Sequence, residues 1–217
     1  MLVRSKRQKE KSMAANSGGN RGGSVLDLSS REIVIAGVIG GVALFLGATR
    51  LGFIPVPIPF IGNATVMHIP AILGGAMEGP VVGLLAGAIF GIFSFLYTDV
   101  PIFKDPIVAI LPRLLIGVVA WAVFVGLRRW SVDLASVGAG LLGSLTNSVG
   151  VLGLGLILPL GQQSYLTPAL VVASIPQAIA EAVLAAVVTV VLVRGVLLIR
   201  SGRTTAAETG SDEERRY

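Results

Sequence analysis

Apolar residues run through this chain in long unbroken stretches. Turn-forming residues cut them into six segments: Ile33 to Arg50, Ala64 to Met77, Val81 to Tyr97, Ile107 to Leu127, Leu134 to Leu158 and Pro168 to Val193. A helix at the surface of a soluble domain would show a polar stripe, and none is visible here, so the pattern predicts helices surrounded by lipid. Most segments approach or exceed the ~20 residues that cross a hydrocarbon core. The second is short, about 21 Å as a helix, and is expected to tilt or to be extended by the loop before it. The expected fold is all-α, with six transmembrane helices.

Few polar residues interrupt these segments: His68, Glu78, Arg113, Asn147, Gln177 and Glu181. Such groups are costly in lipid and by default mark a site. Helical spacing places Ser144, Asn147 and Ser148 on one face, and Ser174, Gln177 and Glu181 on another, as expected of walls that share a polar interior. Three of the polar positions adjoin a proline: His68 lies near Pro70, Arg113 follows Pro112, and Gln177 follows Pro176. Proline in a helix frees the carbonyl four residues earlier, which in lipid must find a partner among neighbours, water or solute.

Each polar residue has a structural reading beside the functional one. Arg113 either holds a carboxylate or polar headgroup with its guanidinium fork or pairs with Glu181 as a buried bridge. His68 is either a ligand or a hydrogen-bonded packing residue. Asn147 and Gln177 either touch a solute or bond across helices. Glu78, before Gly79 and Pro80, reads as a turn residue at the inner interface. Trp121, Trp130, Tyr97 and Tyr165 read as interfacial anchors, and the two tyrosines are also placed to lid a site. Gly79, Gly83, Gly87 and Gly91 recur every four residues, and Ala36, Gly37, Gly40, Gly41, Ala43 and Gly47 crowd the first segment. Small residues at this spacing let helix backbones approach closely.

Composition agrees with the pattern: 53% of the residues are hydrophobic and 13% charged, against roughly a quarter charged in soluble domains, and the mean hydropathy is +0.84. The basic residues sort by topology. With the N-terminus inside, Arg4 to Arg31, the Arg128–Arg129 loop and the C-terminal arginines all fall on the cytoplasmic side, and only Arg50 and Lys104 fall outside. Both termini are therefore expected to be cytoplasmic, and the pI of about 10.1 reflects topology, with no nucleic-acid binding implied. Residues 1–30 are polar and Ser/Gly/Asn-rich, so a disordered basic tail is expected there. A transmembrane domain over 31–200 and a polar cytoplasmic tail over 201–217 follow. No cysteine is present, which excludes disulfide and thiol chemistry. The sequence has no HExxH motif or P-loop, and its two intramembrane glutamates are separated, so neither metal-assisted hydrolysis nor ATP hydrolysis is expected of this chain, and no cofactor is expected.

The order of motifs resembles the substrate-binding S component of energy-coupling factor (ECF) vitamin transporters. The stretches that carry the resemblance are TVMHIPAILGGAMEGPVVGLLAGAIFG (Thr65 to Gly91), VAILPRLLIGVVAW (Val108 to Trp121), GSLTNSVGVLGLGLIL (Gly143 to Leu158) and PQAIAEAVLAAVVT (Pro176 to Thr189). The resemblance implies six helices in a prokaryotic cell membrane, capture of a vitamin or precursor from outside, and a membrane T component with two ABC-type ATPases as partners that use the ATP. The polar residues of the spans, with one outer tyrosine, then give the expected substrate site: Arg113, Asn147, Gln177, His68, Glu181 and Tyr97. Small residues of helix one, here Ala36 with Gly40 and Ala43 with Gly47, would meet the T component. The loop from Arg50 to Gly62 would cap the site. HIPAILGG before a Gly-Pro turn looks most like the pantothenate-type members, whose vitamin carboxylate would suit Arg113; riboflavin, pyridoxine and a hydroxymethylpyrimidine are the other candidates. The alternatives are a proton-coupled secondary transporter using Glu181 and His68, and a membrane enzyme, for which the residues are lacking.

Overall fold

The computed structural model describes residues 29–54, 64–97, 100–160, 163–164 and 166–214. The N-terminal tail, the three prolines of the first loop and Tyr165 lie outside the described residues. The remainder is helical: α1 Ser30–Ala48, α2 Ile69–Glu78, α3 Pro80–Tyr97, α4 Pro106–Leu127, α5 Val132–Ile157 and α6 Pro168–Glu214, with a 3-10 turn at Pro101–Lys104. Two short antiparallel ribbons join them, β1 Phe53–Ile54 with β2 Ala64–Thr65, and β3 Pro159–Leu160 with β4 Gln163–Ser164. Among the described residues five helices are long and apolar enough to cross a membrane: α1, α3, α4, α5 and the stretch Pro168–Ile199 of α6.

The second element departs from the expected helix. Only 10 residues are helical in α2, about 15 Å against a hydrocarbon core of about 30 Å. Ala64 and Thr65 instead pair with Ile54 and Phe53, and the Thr65 hydroxyl accepts from the Met67 amide at 3.2 Å. That local bond and Pro70 in the first turn fix the start of the helix at Ile69. An apolar run of this length does not distinguish strand from helix, so the alternation of structure within it was hidden. At the other end, Gly79 takes φ 109°, a backbone open to glycine, and Pro80 starts α3. Glu78, expected in the turn, is the last helical residue of α2, the break falls at Gly79, and Arg31 donates to Glu78 at 2.6 Å.

Clear caps set other boundaries. Asp105 precedes Pro106 and accepts from the Ile107 and Val108 amides, and Ser131 accepts from the Asp133 and Leu134 amides. A fork of two bonds from Arg194 to Asp133, one of them 2.6 Å, ties the start of α5 to α6. No proline interrupts α6 after Val193, and the helix runs on past the expected end of the segment.

Glycines bring α2, α3 and α4 into backbone contact. A Cβ on Gly117 would fall against the backbone of Gly83, and one on Gly75 against the carbonyl of Gly117. Gly87 lies on the carbonyl of Arg113, and Gly91 on Ile110. The four-residue glycine repeat thus presses α3 onto α4, which is why a proline-bearing helix can be held in one position. Replacing Gly117 with Leu is expected to destabilise the purified protein by about 3 kcal/mol, read as a lowered unfolding temperature in detergent. Gly41→Leu, where nothing lies within 4 Å, is expected to leave that temperature unchanged.

Candidate functional site

At the end of the bundle that carries β1 and β2, a cavity of about 670 Å³ opens between α3, α4, α5 and α6. Its volume falls within the range of small-molecule sites. Arg113, Asn147, Gln177, Glu181 and Tyr97 all line it, together with Ser148 and Ser174. Four separate helices therefore deliver their expected polar residues to one space.

The position of Arg113 follows from its neighbour. Pro112 has no N–H for the Val108 carbonyl, which loses its helical partner. Arg113 Nη1 donates to that oxygen at 2.7 Å. The guanidinium is 3% exposed and lies between two rings, 4.3 Å from the centroid of Phe103 and 5.5 Å from that of Phe90. Cation–π attraction of this kind is worth about 2 kcal/mol when desolvated. Bond and rings together restrain a long side chain that would otherwise sample many rotamers.

Arg113 does not pair with Glu181. The ion pairs among the described residues are Arg31–Glu78 and Asp133–Arg194, both away from the cavity lining. Glu181 is 7% exposed, and its Oε1 accepts from the Thr65 amide at 2.9 Å and from Gln177 Nε2 at 3.1 Å. Gln177 and Glu181 stand one turn apart on α6 and share this bond, while Thr65 brings in the strand that follows the first loop. Asn147 Oδ1 and Ser144 Oγ are buried without a protein partner among the described residues. A buried acceptor left in that state costs about 1–3 kcal/mol, a cost that polar sites commonly carry.

His68 is placed elsewhere. It precedes α2, is 1% exposed, and does not line the cavity; its neighbour Met67 does. Neither ring nitrogen has a partner among the described residues. Tyr97 is at the cavity rim, 73% exposed and stacked on Phe93 with centroids 5.0 Å apart. Residues not anticipated from sequence complete the wall: Phe53, Phe90, Phe93, Phe103 and Arg50. Arg50 ends α1 with φ 59°, a left-handed conformation more usual for glycine at a helix terminus. Phe90 and Phe93 were hidden in a segment that already reads as lipid-facing, and Phe53 and Phe103 lie in connections between the apolar segments, where nothing in the pattern marks them.

The paired small residues of α1 face into this chain. Ala36, Gly40, Ala43 and Gly47 are buried within it. Ile89 covers Gly40, while Phe93 and Met67 cover Gly47. The open side of α1 instead presents Gly37 and Gly41 among Val34, Val38 and Phe45.

The role of Pro112 in holding Arg113 is testable by a double-mutant cycle. Arg113→Met leaves the Val108 carbonyl unpaired and is expected to cost about 1–3 kcal/mol. In a Pro112→Ala background, where an amide is restored, the same change is expected to cost about 1 kcal/mol less. Strict additivity in detergent unfolding measurements would show that the two residues do not share that carbonyl.

The family model for the substrate-specific component of ECF transporters matches residues 31–193, which include α1 from its second residue to α6 as far as Val193. No curated protein matches the chain.

Proposed function

The chain belongs to the substrate-specific components of ECF transporters, and on that footing we propose that its cavity captures a carboxylate-bearing vitamin, pantothenate foremost, for ATP-driven import. Membership makes it a multi-pass integral protein of the prokaryotic cell membrane with a substrate-capture role in uptake, and a transporter subunit, not an enzyme. The observation that carries the finer reading is the guanidinium of Arg113, buried beside the cavity without a carboxylate partner among the described residues. A buried cation without a partner is costly. A ligand carboxylate offers the planar acceptor that a guanidinium fork fits best.

In this reading the chain crosses the membrane six times with both termini cytoplasmic, α2 completing its short crossing through the β1–β2 ribbon. The cavity then faces outward. Asn147, Gln177 and Glu181 contact the remainder of the solute, and Tyr97 closes over it. A T component and two ABC-type ATPases supply the energy, since this sequence has no P-loop. Proton coupling through His68 and Glu181 is disfavoured because only Glu181 borders the cavity.

Thermal-shift measurements on the detergent-purified protein test the reading. Pantothenate is expected to raise the unfolding temperature. Arg113→Ala is expected to weaken binding roughly 10- to 100-fold, with Arg113→Lys intermediate because it keeps the charge and loses the fork. A folded Arg113→Ala protein that binds as tightly as the parent would remove the carboxylate-holding role. In cells, uptake is expected to persist with an uncoupler while ATP is held constant; abolition of uptake would favour proton coupling.

A further inference from the structure

Arg113 and Glu181 border the same cavity, yet they are held apart. Opposite charges in surroundings of low dielectric gain by approaching one another. Here each is restrained by other groups. Arg113 is bonded to the Val108 carbonyl and lies between Phe90 and Phe103. Glu181 is bonded to the Thr65 amide and to Gln177. Among the described residues both hydrogen bonds to Glu181 fall on Oε1, and Oε2 accepts none. The wall around these residues is mainly aromatic and aliphatic.

We propose that this separation makes the cavity two-ended. It selects ligands that carry a carboxylate at one end and hydroxyl, amine or N–H donors at the other, with Glu181 as the specificity-determining acceptor. The inference rests on the reading of Arg113 as the carboxylate holder and adds the chemistry of the opposite end. Two classes of solute are thereby excluded. A cation without a carboxylate meets repulsion at Arg113 and Arg50, and a carboxylate with a purely hydrocarbon far end strips water from Glu181 and returns no donor. The last exclusion is the strongest, since a site built to hydrogen-bond a group discriminates sharply against analogues lacking it.

The test is a thermal-shift panel on the full chain with pantothenate, biotin, lipoate, nicotinate, riboflavin, thiamin and pyridoxine, followed by titration of Glu181→Gln. Gln retains an acceptor for the Thr65 amide, and equality of its unliganded unfolding temperature with the parent's checks the fold. The largest shift is expected with a carboxylate that carries far-end donors, and Glu181→Gln is expected to weaken that ligand roughly tenfold or more. Binding of an N-acyl-β-alanine without hydroxyls is expected to change less than about twofold. If biotin gives the largest shift and Glu181→Gln weakens it, the two-ended cavity stands and pantothenate is the wrong vitamin. If lipoate, nicotinate, riboflavin, thiamin or pyridoxine gives the largest shift, or Glu181→Gln leaves the best ligand unaffected, the inference is overturned. A panel with no shift contradicts both readings.

Discussion

A proline inside a membrane helix leaves one carbonyl without its hydrogen bond, and in α4 the group that repairs the loss is the guanidinium of the next residue. Lipid offers no water to satisfy that oxygen. The defect at Val108 therefore needs a donor, and Arg113 Nη1 supplies it at 2.7 Å. One contact answers two demands: the backbone regains a partner, and a cation acquires a fixed location at the cavity wall. The rings of Phe90 and Phe103 then hold it from α3 and from the 3-10 turn before α4.

That placement depends on how closely α3 approaches α4. Gly87 lies directly on the Arg113 carbonyl, and Gly83 on Gly117. Side chains at these positions would push the helices apart and carry Phe90 away from the guanidinium. Glycine packing and the cavity wall are thus parts of one arrangement. The α6 side of the cavity is assembled differently, by a bond between residues 116 positions apart, Thr65 on β2 and Glu181 on α6.

Much of this was legible in the sequence, and the limits have physical causes. The long apolar segments gave five helices within a few residues, apart from the later end of α6, because hydrophobic length and capping residues such as Asp105 and Ser131 encode them directly. The polar set gave Arg113, Asn147, Gln177, Glu181 and Tyr97 on one cavity, since polarity in lipid is conspicuous. His68 was equally conspicuous and lies away from the lining, because polarity alone does not fix direction at the irregular start of α2. The facing of α1 was also hidden: small residues occupy more than one of its sides, and only the partners Ile89, Phe93 and Met67 identify the buried one. Phe90 and Phe93 carry no signal that separates them from lipid-facing residues, and Phe53 and Phe103 lie between the apolar segments.

In the proposed function, Arg113, held by the Val108 carbonyl and without an acid partner among the described residues, receives the carboxylate of the captured solute. A structure of the chain with its ligand bound decides whether it does. A ligand carboxylate is expected within hydrogen-bonding distance of the guanidinium, with the Val108 contact retained. A ligand bound solely against α5 and α6, with no polar contact to Arg113, would overturn that role.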